Sequence, residues 1–173
     1  MNTPTHVGVL GGGRMGAGIA HAFALTGSHV TVVERDVEAA RAARERVLQS
    51  LARSVERGTT STPLDDLERR VDSSADPAAF AGCGLVVEAV FEDRAVKSDA
   101  LRRVEAVVSD DTVLASNTSS ISIDDLAGGL HRPERFLGLH FFNPVPASTP
   151  LELVLGSATP PALVAHPPSG TGA

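Results

Sequence analysis

The apolar run Val7-Gly8-Val9-Leu10 breaks directly into the turn Gly11-Gly12-Gly13-Arg14-Met15-Gly16-Ala17-Gly18, which leads into a helix-like stretch from Ile19 to Thr26. In a strand, tight turn and helix read as G-x-G-x-x-G, three glycines have separate tasks. Gly11 lets the chain reverse sharply, Gly13 removes the side chain that would hold a pyrophosphate off the backbone, and Gly16 lets helix and strand pack closely. Arg14 and Met15 lie where the unpaired N–H groups and positive dipole end of the new helix would face a diphosphate. Glycine turns before helices also occur for purely structural reasons. Here, however, the next apolar run, His29-Val30-Thr31-Val32-Val33, ends in Glu34, at the spacing where an acidic side chain takes the adenosine ribose hydroxyls. Strand, turn, helix, strand and acid in that order predict a dinucleotide site.

At 173 residues the chain can bury one good core but not two ordinary ones. A hydrophobic share of 42% suits a globular domain, and no apolar run is long enough to span a bilayer. Met1 to Thr5 is too short for a signal peptide. The single cysteine, Cys83, allows no intrachain disulfide, which points to a cytoplasmic setting, and its glycine neighbours suggest a core position rather than a nucleophile. A formal net charge of −6 and only six aromatic residues, all Phe, argue against nucleic acid as a partner. No metal ligand set is expected.

Helix-like and strand-like segments alternate along the rest of the chain, the pattern of a parallel sheet covered on both faces. Asp36 caps a helix reaching about Arg57, with Val37, Ala40, Ala43, Val47, Leu51 and Val55 on its apolar face and Gly58 as its stop. A helical turn from Leu64 to Arg69, an edge strand near Val71 and a turn at Asp76-Pro77 follow. Leu85 to Val90 reads as a strand buried on both faces. Helix is expected from Arg94 to Ser109, strand from Thr112 to Ala115, a short helix capped at Ser122, and strands at Phe136 to Phe142 and Leu151 to Leu155. The fold class is therefore α/β, a Rossmann-type doubly wound and mostly parallel sheet over residues 1–155. From Gly156 the tail carries four prolines, three glycines and no Asp, Glu, Lys or Arg, and residues 156–173 are expected to be disordered.

Open parallel sheets bind ligands beyond the carboxyl ends of their strands. Glu92 and Lys97 follow the run Leu85 to Val90. Lys97 is the one lysine beside fourteen arginines, which suits either a compact ammonium needed at one place or a chance position on a helix surface. Ser116-Asn117-Thr118-Ser119-Ser120 reads as the cap of the helix at Ser122 or as a polar strand end facing a ligand. His140 lies in an apolar strand that breaks at Asn143-Pro144, and Glu152 interrupts the run Leu151 to Leu155. A carboxylate in such a run needs a partner. If it meets His140, the two form a general base with an orienting carboxylate; otherwise they are unrelated, with Glu152 facing solvent from an edge strand. Glu88 is a buried carboxylate to which the sequence assigns no role.

Taken together, the Gly11 to Ala20 turn, Val87-Glu88-Ala89-Val90-Phe91-Glu92 with Lys97, Ala115 to Ser120, and His140-Phe141-Phe142-Asn143-Pro144-Val145-Pro146 closely resemble the amino-terminal domain of the 3-hydroxyacyl-CoA dehydrogenases, including the bacterial 3-hydroxybutyryl-CoA form. The last segment is far more specific than the glycine turn. The resemblance runs from about His6 to Leu155.

The resemblance implies NAD as cofactor, with Glu34 on the adenosine ribose and Ala89, Glu92, Lys97, Ser119 and Asn143 lining its nicotinamide half. It implies that His140 is the catalytic base for the 3-hydroxyl proton, that Glu152 orients it and that Ser119 also bonds the reacting oxygen. Ser50 and Arg57 fall where the family contacts the acyl-CoA substrate, Arg57 standing in for a lysine and keeping the charge. Enzymes of this kind continue with a helical domain of roughly a hundred residues, an ordinary domain size, which closes the cleft and makes most of a dimer interface. That segment is not in this sequence. The expected protein is thus a shortened member whose own turnover is in question, with a non-catalytic NAD-binding module as the competing reading.

Overall fold

The computed structural model describes residues 4–142 and 151–165, apart from the side chains of residues 164 and 165. Seven strands form one sheet: β1 (His6–Leu10), β2 (His29–Val33), β3 (Val71–Ser74), β4 (Leu85–Glu88), β5 (Val113–Ser116), β6 (Phe136–Phe141) and β7 (Leu151–Leu155). Their order is β3-β2-β1-β4-β5-β6-β7. All neighbours pair in parallel except β6 and β7. The chain winds outward from β1 in one direction to β3 and in the other from β4, so the strand order reverses between β1 and β4. That switch point is where a doubly wound sheet opens a crevice.

The helices are α1 (Arg14–Leu25), α2 (Val37–Glu56), α3 (Leu64–Glu68), α4 (Arg94–Glu105), α5 (Ile123–Ala127) and α6 (Ala162–Ala165). Strand alternation divides the core in two. Leu85 and Val87 of β4 join Val7, Val9, Ile19 and Leu51 on one face, whereas Val86 joins Phe80, Leu101, Leu126 and Phe136 on the other. The side chains of Asp36, Asp93 and Ser122 accept backbone N–H bonds at the starts of α2, α4 and α5. Gly58, at φ +66°, follows α2 in a conformation that favours glycine. One member of the expected α2 face fails: Val37, the first residue of the helix, is 74% exposed.

Cys83 is buried, and its burial pushes the thiol up to about 11, as suits a packing residue. The segment after Gly156 departs from expectation as far as it is described. The Thr159 hydroxyl donates to the Phe136 carbonyl at 2.6 Å, Ser157 bonds Asp124 through its N–H at 2.6 Å and its hydroxyl at 3.0 Å, and Leu163 is buried against the core. Average composition misses such anchors, since two hydroxyls and one leucine suffice to dock a short uncharged strap. Residues 166–173 lie outside the described residues.

The antiparallel strand β7 forms the sheet edge. Its Leu151, Leu153, Val154 and Leu155 are 49%, 40%, 45% and 39% exposed. Phe141, by contrast, is half-buried, its ring edge-on to Phe23 at 6.1 Å between centroids. A patch of this kind favours self-association, so the 173-residue chain should gain mass with concentration in sedimentation velocity, and Leu153→Lys should suppress that gain.

Candidate functional site

At the switch point, a cleft of about 780 Å³ opens between the β1 turn and the end of β4, lined by Gly11, Gly13, Glu34, Ala89, Val90 and Phe91 among others. Two of the glycines have the backbone geometry of a sharp turn with close packing. Gly11 holds φ +91°, and a Cβ on Gly16 would stand 1.7 Å from the Gly11 carbonyl oxygen. Around Gly13, nothing lies within 4 Å of where a Cβ would be. Helix α1 begins without a side-chain cap, so its first N–H groups are available to an anion. Arg14 is exposed on that first turn and Met15 half-buried. Glu34 Oε1 accepts the Gly12 N–H at 2.8 Å, which ties the turn to the end of β2. Sequence reading missed Arg46, whose guanidinium reaches from α2 to the Gly12 carbonyl at 3.0 Å. No local signal marks a contact across 34 residues of chain.

Beyond β4 the polar residues converge on two carboxylates. Glu88 is 1% exposed; its Oε1 accepts from Lys97 Nζ and the Val90 N–H, both at 2.7 Å, and its Oε2 from the Ser116 hydroxyl at 2.5 Å. Lys97 is no surface residue, being equally buried, and its ammonium also meets Glu92 Oε2 at 3.2 Å and the Val90 carbonyl at 3.3 Å. Glu92 Oε1 gathers the Thr118 hydroxyl at 2.5 Å, the Ser119 N–H at 3.1 Å and the Ser120 N–H at 3.3 Å. Burial alone would raise the Glu92 carboxyl; the Thr118 hydroxyl, the Lys97 ammonium and the Ser119 N–H outweigh it and hold it at about 2. Residues 116–120 therefore do not cap α5, a task that falls to Ser122 itself. They form a loop fastened onto Glu88 and Glu92.

The second cleft, of about 410 Å³, is lined by Thr118, Ser119, Ser120, His140 and Glu152, among others. Antiparallel pairing sets His140 directly opposite Glu152, and His140 Nδ1 lies 3.3 Å from Glu152 Oε2. Glu152 contacts His140 while its side chain stays 64% exposed on an edge strand. The distance is at the long end for a hydrogen bond. Ser119 is exposed, and among the described residues its hydroxyl makes no hydrogen bond. The Asn117 Oδ1 accepts the Phe141 N–H at 2.8 Å, binding the end of β5 to the strand that carries His140.

Of the expected residues, Glu92, Lys97, Ser50 and Arg57 line neither cleft. Ser50 and Arg57 lie along α2 and just past it; the Ser50 hydroxyl donates to the Arg46 carbonyl at 3.0 Å, and Arg57 is exposed. Asn143 lies outside the described residues. Among the described residues, no group of three or more His, Cys, Asp or Glu side chains could hold a metal ion, and no helix is long and apolar enough to cross a membrane.

Residues 6–167 match the family model described as 3-hydroxyacyl-CoA dehydrogenase, NAD binding domain, a match that continues past the composition break at Gly156. The chain is 44% identical over 162 residues to a 3-hydroxybutyryl-CoA dehydrogenase of Mycobacterium tuberculosis, covering 92% of this chain and 57% of that protein. It is 36% identical over 156 residues to the mitochondrial hydroxyacyl-coenzyme A dehydrogenase of Sus scrofa, covering 86% of this chain and 50% of that one. Among solved structures, FadB2 of M. tuberculosis superposes with a TM-score of 0.88 at 43% identity, covering 95% of this chain and 58% of its own. The (S)-3-hydroxybutyryl-CoA dehydrogenase PaaH1 of Ralstonia eutropha does so with 0.88 at 34% identity, covering 94% and 58%. The chain thus spans little more than half the length of these relatives. It belongs to the NAD-binding-domain family of the 3-hydroxyacyl-CoA dehydrogenases.

Proposed function

We propose that this chain binds NAD across the β1–β4 switch point and supplies the base for oxidation of a 3-hydroxyacyl-CoA to the 3-ketoacyl-CoA. The observation that carries this reading is the meeting of Ser119, His140 and Glu152 around one cleft, on the same sheet whose glycine turn leaves open space at Gly13 and unpaired N–H groups on α1. NAD held by the Gly11–Gly16 turn and Glu34 would supply the hydride acceptor for C3. The protein handles the other hydrogen. The His140 ring nitrogen not engaged by Glu152 takes the hydroxyl proton as the C–O bond becomes a carbonyl, and Glu152 fixes the tautomer and stabilises the imidazolium. The Ser119 hydroxyl holds the reacting oxygen in line with that nitrogen.

Positioning supplies much of the rate in such reactions. The 173 residues by themselves therefore bind NAD through their own βαβ units, while acyl-CoA binding is weak and turnover low. Ser50 and Arg57 serve the acyl-CoA, no nucleic acid or membrane takes part, and dimerisation as in the family needs the helical segment of the longer enzymes. The free, buried Cys83 fits a reducing, cytoplasmic compartment.

Cofactor choice tests the reading. Glu34 suits a ribose diol and repels a 2′-phosphate. Arg35 could offset that repulsion, but its Nε is paired with Asp36 Oδ2 at 3.1 Å. Calorimetric titration should show NAD binding at least about tenfold more tightly than NADP, a gap of ~1.4 kcal/mol. Equal affinities would overturn the assignment of Glu34.

A further inference from the structure

Resting on the NAD-dehydrogenase reading above, we propose that Glu88 is a positioning residue of this site, which holds Ser119 in place through the buried Lys97 and the more exposed Glu92. A strand covered on both faces is best built of apolar side chains, and a carboxylate at 1% exposure is costly unless fully partnered. Glu88 is fully partnered, and its partners come from three places: the Ser116 hydroxyl at the end of β5, the Val90 N–H beyond β4, and the ammonium of Lys97 on α4.

The Lys97 ammonium donates to Glu88 Oε1 and the Val90 carbonyl and forms an ion pair with Glu92 Oε2 at 3.2 Å. Lys97 thus links Glu88 to Glu92. The other oxygen of Glu92 holds the Thr118 hydroxyl and the N–H groups of Ser119 and Ser120. The one cation is shared between two carboxylates, 2.7 Å from Glu88 and 3.2 Å from Glu92. Without the Glu88 charge, the ammonium draws Glu92 inward and away from the loop, and Ser119 loses the bond that sets its place opposite His140.

The test is Glu88→Gln, which keeps the size and removes the charge, made in the full chain and read by amide NMR and by NADH fluorescence. In the wild type, added NADH should shift the Ser119 amide signal; a wild type that binds no NADH refutes the functional reading and leaves the relay to be judged from the NADH-free spectra. In the folded variant, the Ser119 and Ser120 amide protons should move upfield as the carboxylate withdraws. Unchanged Ser119 and Ser120 signals in a folded variant would overturn the proposal. If the single variant does not fold, the neutral pair Glu88→Gln with Lys97→Met removes both buried charges and should fold with the same two signals displaced; signals at their wild-type positions there would overturn it as well.

Discussion

Exchanging His140 for glutamine should lower turnover of a 3-hydroxyacyl-CoA by on the order of a hundred- to ten-thousand-fold, the range a positioned general base contributes. NAD affinity should be nearly unchanged, because His140 lines the cleft with Ser119 and Glu152 rather than the one with Gly13 and Glu34. A loss in turnover without a loss in binding marks an interaction made in the transition state. Glu152→Gln should give a smaller loss of the same kind, since it disturbs only the tautomer and basicity of the ring it faces at 3.3 Å. Steady-state kinetics of both variants, joined to the remaining segment of a longer relative where the chain alone is too slow, would decide this. A Glu152→Gln protein as active as wild type would show that the pair is not catalytic.

The second large effect is expected at the glycine turn, where two single-methyl substitutions should behave oppositely. In Gly16→Ala the new Cβ meets the Gly11 carbonyl oxygen at 1.7 Å, so backbone must move. Overpacking of an ordinary core costs about 1–3 kcal/mol, and a backbone clash at this distance belongs at or above that range. Gly13→Ala meets no atom within 4 Å, so its melting temperature should match wild type, yet the methyl stands where a pyrophosphate must approach the backbone. Thermal melts paired with NAD titrations should show Gly16→Ala losing both stability and binding, and Gly13→Ala losing binding alone, by on the order of tenfold or more. A Gly13→Ala protein with wild-type affinity would place the diphosphate elsewhere.

The same turn shows why part of the site was legible in the sequence. Gly11, Gly13, Gly16 and Glu34 lie in one βαβ unit, where local spacing fixes geometry. The alternation that predicted the sheet is equally local, and β2, β6 and β7 fall within a residue of their expected bounds. Contacts between distant elements were harder to read. The burial of Glu88 could be read from its apolar neighbours, but its partners Lys97 and Ser116 come from a helix and the next strand. For the same reason, Ser116 to Ser120 looked like a cap until β4 and β5 were placed side by side. The His140–Glu152 meeting depended on antiparallel register, which spacing alone leaves open. At the tail, average composition concealed the anchors Thr159 and Leu163.

Reduction of 3-ketobutyryl-CoA by NADH, followed through the loss of NADH, tests the central claim most directly when run on this chain alone and on the chain joined to the remaining segment of the M. tuberculosis relative. The joined protein should turn over and should lose that activity with His140→Gln. The 173-residue chain, whose match covers 57% of that relative, should bind NADH yet react at least about a hundredfold more slowly if positioning by the remaining segment supplies the rate. A joined protein that folds and binds NADH but reduces no 3-ketobutyryl-CoA, or one whose rate survives His140→Gln, would contradict the account.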